Sequence, residues 1–221
     1  GIWVISPKRL FTNNWQDELW LVAGGIFGGS LYFFTENTAL GITQASNVSF
    51  IICTAPLLTT ILSLLFYKSE KASKGLIYGS LLALMGVGLI VFNGSFVLKI
   101  SPIGDLLTLL AALSWAFYSL IIKKMAGRYP TVFITRKIFF YGVLTILPAF
   151  LLHPLQPDAA VLLQPGVLFN LLFLAVLASL ICYVLWNVVL KQLGTVRASN
   201  YIYLNPLVTM IASSLILDEK I

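Results

Sequence analysis

A carboxylate, Glu36, stands inside the apolar stretch LYFFTENTAL at residues 31–40. An ionised acid is expensive in such surroundings. Inside a membrane it usually faces the bundle interior or a watery cavity, where it takes up a proton or pairs with a substrate amine. The plainer reading is a carboxylic acid hydrogen-bonded to a neighbouring helix. Thr35, Asn37 and Thr38 flank it. Threonines in lipid commonly bond across to another helix, whereas Asn37, one residue on, points to a different side.

Amides and amphipathic aromatics are the other groups able to hold a small polar ligand. Asn187 follows Trp186 deep in one apolar run, and Asn205 precedes Pro206 in another. Proline within a helix frees a carbonyl and permits a kink. Pro56 and Pro206 are therefore hinge candidates, and an amide beside a freed carbonyl can coordinate a ligand. Trp115, Tyr118 and Tyr201 carry rings that suit a cavity for an amphipathic molecule, though each suits lipid contact equally. Candidates for substrate binding or proton coupling are thus Glu36, Asn37, Trp115, Tyr118, Trp186, Asn187, Tyr201 and Asn205.

Catalysis has a weaker claim. Hydrolytic or metal chemistry needs a nucleophile with a base, or clustered histidines and acids. The chain has one histidine, His153, and two distant cysteines, Cys53 and Cys182. It has no Gly-rich phosphate loop with a lysine. No catalytic residue, metal or cofactor is expected. A membrane-embedded enzyme and a structural or signalling membrane module are the alternative readings.

The elements that position these groups follow from composition. Of 221 residues, 59% are hydrophobic and 10% charged, against about a quarter charged in a soluble domain. So little charge cannot cover a water-facing surface, and the class is all-α integral membrane. A helix needs about 20 apolar residues to cross the hydrocarbon. Stretches near 19–42, 46–67, 75–94, 103–122, 131–152, 166–190 and 198–217 qualify. If the first runs outward, twelve of the fourteen Lys and Arg residues fall inside, including Lys8, Arg9, Lys68–Lys74 and Lys123–Arg128. Only Lys99 and Lys220 fall outside. This is the positive-inside pattern, which makes those basic segments cytoplasmic. The net charge of +6 is spread between apolar runs, not along one face, so nucleic acid is not an expected partner. Arg136 and Lys137 read as anchors that snorkel to the inner interface. Gly24, Gly25, Gly28 and Gly29 form one small-residue ridge and Gly79, Gly86 and Gly88 another, both suited to close helix packing.

The chain also repeats itself. Leu40-Gly41-Ile42-Thr43-Gln44-Ala45-Ser46-Asn47 echoes Leu193-Gly194-Thr195-Val196-Arg197-Ala198-Ser199-Asn200. Ala55-Pro56-Leu57 echoes Asn205-Pro206-Leu207, and Ser69-Glu70-Lys71 echoes Asp218-Glu219-Lys220. The copies lie five spans apart, an odd number, so they cross the membrane in opposite directions. Inverted repeats with a site at their interface are a mark of secondary transporters.

Those landmarks, with Gly104-Asp105-Leu106-Leu107-Thr108-Leu109-Leu110-Ala111-Ala112-Leu113-Ser114-Trp115-Ala116, resemble the EamA-type members of the drug/metabolite transporter superfamily. The resemblance implies an inverted-repeat bundle of two five-helix halves that moves small metabolites, amino-acid-like compounds among them, across a bacterial inner membrane, often outward. It maps the seven spans onto helices three to nine. Residues 1–94 then form an incomplete first repeat and 103–221 an incomplete second, so the chain reads as a fragment. The expected partners are a small-molecule substrate, the lipid bilayer and protons as a candidate coupling ion.

Overall fold

The computed structural model describes residues 11–12, 14–43, 45–67, 74–92, 101–152 and 159–208, and regular structure among them is entirely helical. Lys8, Arg9, Lys68, Lys71, Lys99, Lys220 and the last repeat landmark lie outside the described residues. All seven apolar stretches are helical where described, the last as far as Val208. Among the described residues four helices, Asn47–Phe66, Pro102–Ala126, Thr131–Ala149 and Pro165–Leu193, are long and apolar enough to cross a membrane.

The first stretch folds as α1 (Trp15–Gly25), a π-helical turn (Ile26–Ser30) and α2 (Leu31–Ile42). Asn14 opens α1, its side chain accepting the Gln16 N–H at 3.2 Å and so satisfying an orphan donor of the first turn. At the π turn the bonds reach i→i+5, as from Leu31 N–H to the Ile26 carbonyl. Neighbouring helices hold this turn from two sides. Ser114 donates to the Phe27 carbonyl at 2.9 Å, and Tyr183 donates to the Gly28 carbonyl at 2.6 Å.

The remaining elements are α3 (Ala45–Ile52), α4 (Ala55–Phe66), α5 (Lys74–Phe92), α6 (Pro102–Ala126), α7 (Thr131–Leu152), α8 (Ala159–Leu162) and α9 (Pro165–Leu172). A π-helical segment (Phe173–Ile181), α10 (Cys182–Leu193), α11 (Thr195–Asn200) and a 3-10 turn (Tyr201–Leu204) follow, with 205–208 again helical. Gly194, at φ 79°, turns α10 into α11. Glycine adopts that left-handed value without steric cost.

α1 and the π turn pack against α6 and α7, and α2 packs against α6. Leu21, Tyr118, Ile122, Met125, Ile134, Ile138 and Leu190 fill the core between them and α10. The contact is close because the glycine ridge removes side chains from it. A Cβ on Gly25 would fall 2.6 Å from Tyr141 Cβ, and one on Gly29 3.0 Å from Gly142 Cα. On Gly28 it would fall 2.2 Å from the Tyr118 ring. The second ridge behaves otherwise: among the described residues nothing lies within 4 Å of a Cβ built on Gly79 or Gly86. Those positions do not carry close packing. Segment 165–181 has no buried residue, so its apolar side chains face outward, where lipid is the compatible solvent.

Gly25→Ala and Gly28→Ala should each destabilise by about 1–3 kcal/mol, the cost of overpacking a tight contact. Gly79→Ala should be neutral or slightly stabilising through helix propensity. Thermal unfolding in detergent checks this, and equal midpoints for all three variants would contradict the packing described.

Candidate functional site

Two helices are broken at matched places. Proline has no N–H, and its ring excludes the carbonyl four residues back, which at Pro56 is Ile52 and at Pro206 is Ile202. The chain tightens before each. Thr54 N–H bonds the Ile51 carbonyl at 2.9 Å, and the 3-10 turn passes Asn205 N–H to the Ile202 carbonyl. Tightening redirects the neighbouring side chains toward one hollow.

That hollow is a cavity of about 340 Å³. α2 contributes Tyr32, the α3–α4 junction Ile52 and Ala55, α6 Trp115 and α10 Trp186. Tyr201 and Ile202 come from the 3-10 turn, with Asn205 just after it. Trp115 is the hub of an aromatic wall. Its ring lies 5.6 Å from Trp186, 5.0 Å from Tyr32 and 5.2 Å from Tyr118, all tilted. Such offsets suit ring quadrupoles. The indole N–H groups of Trp115 and Trp186 are buried without an acceptor among the described residues.

Four of the eight sequence candidates, Trp115, Trp186, Tyr201 and Asn205, thus meet at one cavity. Glu36 adjoins it through Tyr32, whose hydroxyl donates to Glu36 Oε1 at 2.8 Å. Tyr118 and Asn187 lie behind the wall. The Tyr118 hydroxyl donates to Asn187 Oδ1 at 2.7 Å, and Asn187 Nδ2 donates to Thr135 Oγ1 at 2.8 Å. This fully buried chain ties α6, α10 and α7 together. Asn37 is exposed, and its amide donates to the Phe33 carbonyl of its own helix at 2.8 Å. Among the described residues Thr35 and Thr38 do not bond across helices; their hydroxyls donate to carbonyls of their own helix, Leu31 and Phe34. A short hydroxyl side chain reaches its own i−4 carbonyl more easily than a neighbour.

A polar network at the start of α1 escaped the sequence reading. Asp17 accepts from Arg128 at 2.6 Å and from the Tyr129 hydroxyl at 2.9 Å. Glu18 Oε1 accepts from Lys137 and Tyr141, and Oε2 from the Thr12 N–H and hydroxyl. Lys137 is therefore no snorkelling anchor. It is 4% exposed and turned inward to its carboxylate, because a buried ammonium needs a paired charge more than it needs water. The available signal was two acids in an otherwise basic segment. Glu18 precedes the apolar run. Burial pushes its carboxyl up, and the hydrogen bonds from Lys137, Tyr141 and Thr12 outweigh that and bring it to about 2.

The chain belongs to the EamA-like transporter family, whose model matches residues 1–92 and 102–221. An "uncharacterized transporter" of Archaeoglobus fulgidus is 29% identical over 220 residues, covering 99% of this chain and 74% of that protein. A "probable amino-acid metabolite efflux pump" of Escherichia coli is 23% identical over 189 residues, covering 83% of this chain and 63% of that protein. A solved crystal structure shares the fold at TM-score 0.75 and 19% identity, covering 95% of this chain and 70% of its own. The protein is a multi-pass membrane protein of a transporter family.

Because the folded Glu18 carboxyl lies below its unfolded value, its stabilisation is present above the ordinary carboxylate range of about 4. It is lost as pH falls from there toward 2. Glu18→Gln should lower the melting temperature at neutral pH, and the gap from the native chain should close on acidification. A gap independent of pH would contradict the pairing.

Proposed function

We propose that the protein is a secondary transporter that moves small amino-acid-like metabolites outward across the inner membrane by alternating access. The observation that carries this reading is the cavity between Tyr32, Trp115, Trp186, Tyr201 and Asn205, with Glu36 hydrogen-bonded to its rim through Tyr32. The aromatic wall takes the apolar part of a metabolite. Asn205 and the two indole N–H donors, which have no acceptor among the described residues, answer its oxygens after a small ring rotation. Glu36 takes a proton or the substrate amine, since an intramembrane acid is most useful where its charge changes.

The matched prolines supply the motion. Ile52 and Ile202, the residues whose α-helical bond each proline removes, both line the cavity. They belong to the two sequence repeats, which supports reading the cavity as the meeting point of inverted halves that rock against each other. We read residues 1–94 and 103–221 as those halves. Pro56 and Pro206 are then paired hinges, and the basic ends of the helices face the cytoplasm. The name of the Escherichia coli relative supports the choice of amino-acid metabolites.

Flux of labelled amino acids in proteoliposomes with an imposed pH gradient tests the reading. Trp186→Ala should weaken apparent affinity by about tenfold, the scale of one lost aromatic contact. Glu36→Gln should abolish the response to the pH gradient while the protein stays folded. Gradient-driven flux unchanged in Glu36→Gln removes the proton role. No flux of any amino-acid metabolite by the native chain removes the substrate class.

A further inference from the structure

Beyond the aromatic cavity, α4 packs against α11 along one line of contact. Ala55 on α4 and Ile202 just after α11 both line the cavity, and they share a packed cluster with Ala112. Two turns further along α4, the Ser63 hydroxyl is hydrogen-bonded to that of Thr195, the first residue of α11, at 3.2 Å. Residue numbers therefore rise along α4 as they fall along α11, and the two helices run antiparallel. Thr59 stands between Ala55 and Ser63 at helical spacing, and Ser199 between Thr195 and Ile202, so both lie on the same contact. Thr59, Ser63, Thr195 and Ser199 are all fully buried. In sequence α4 leads to Lys68–Lys74, while α11 follows Lys191 and carries Arg197. The line of hydroxyls thus runs from the cavity toward the basic end of the bundle.

Permanent packing does not account for these side chains. A helical hydroxyl commonly returns to the carbonyl four residues back, as Thr60 does to Pro56 at 2.8 Å. The Thr59 and Ser199 hydroxyls have no partner among the described residues. A buried group left so bears its full desolvation cost, which an apolar side chain of the same shape would spare. The neighbouring core shows the alternative, where Tyr118, Asn187 and Thr135 answer one another. α11 is also only six residues long. It starts at the Gly194 turn, at φ 79°, and ends at the 3-10 turn that leads to Pro206.

We infer that the α4–α11 contact is a closed gate between the aromatic cavity and the basic side of the membrane. Movement of α11 between Gly194 and Pro206 parts it from α4. Water and the polar groups of a passing solute then bond to Thr59 and Ser199, and Ser63 and Thr195 exchange their mutual bond for the same partners. Parting two apolar faces would expose them to water at a cost; hydroxyl faces reduce that cost by becoming hydrated. The inference rests on the alternating-access reading and names the path by which a solute reaches the cavity.

Single cysteines in the chain carrying Cys53→Ala and Cys182→Ala, reconstituted in vesicles, test it through reaction with a charged, water-soluble thiol reagent. The reagent is supplied from the side on which Lys191→Cys, an exposed position at the basic end, reacts. Thr59→Cys and Ser199→Cys should react about tenfold faster than Ile134→Cys, a similarly buried position of the core, because local opening is less costly than global unfolding. Adding Thr59→Val to Ser199→Cys should raise the melting temperature by removing an unpaired hydroxyl. The same change should slow the labelling about fivefold, because a drier contact opens less often. Labelling no faster than that of Ile134→Cys, reaction only from the opposite side, or a rate unchanged by Thr59→Val would overturn the gate. Slow labelling with intact amino-acid flux removes the gate alone, and rapid labelling without flux removes the transport reading alone.

Discussion

Where Gly25 and Gly28 lack side chains, the backbone of the first helix lies against Tyr141, Gly142 and the Tyr118 ring at distances that leave no room for a Cβ, and Gly29 lies nearly as close to Gly142. In lipid there is little hydrophobic drive to bring helices together, so packing of this closeness and a few hydrogen bonds must do it. The π turn falls at the same place, and its carbonyls are held by Ser114 and Tyr183. One contact thus sets the depth and rotation of α2 relative to α6 and α10. That rotation decides whether Tyr32 reaches the wall made by Trp115 and Trp186.

The cavity depends on this arrangement and on two prolines. With Tyr32 placed, Glu36 one turn further on is joined to the cavity rim. With Pro56 and Pro206 interrupting their helices, Ile52 and Ile202 come to line it. Tyr118, Asn187 and Thr135 stand behind as a buried hydrogen-bonded chain, satisfied in itself. Such a chain is costly to disturb and keeps the wall in register. At the start of α1, Asp17 and Glu18 bind Arg128, Tyr129, Lys137 and Tyr141 and fix that helix to α7 and to the turn before it.

Much of this was legible in the residues. Apolar run lengths located the helices, because lipid requires every backbone group to be satisfied within them. The glycine ridge at 24–29 was legible as a packing face, yet the similar spacing at Gly79 and Gly86 was not a guide, since a small residue permits contact without supplying a partner. Trp115, Trp186, Tyr201 and Asn205 are aromatic and amide groups of the kind that suits a cavity, and the fold brings the four to one hollow. Tyr32 was passed over, being one aromatic among several; only the fold shows that it joins Glu36 to that cavity. Tyr118 and Asn187 have the same chemistry as their neighbours, and only helix rotation puts them behind the wall. Lys137 read as an interfacial anchor because its partner, Glu18, lies 119 positions away.

Passage of a solute through this bundle requires the aromatic cavity to be a water-reachable hollow. With Cys53 and Cys182 replaced by alanine, Ile202→Cys places a thiol on the cavity wall. Its rate of reaction with a small, charged, water-soluble thiol reagent, in the chain reconstituted in vesicles, is the direct measurement. Reaction that slows when a bulky side chain replaces Ala55 across the cavity is the predicted result. Reaction only with a lipid-soluble reagent would contradict it, placing Ile202 against acyl chains and leaving no hollow for a solute.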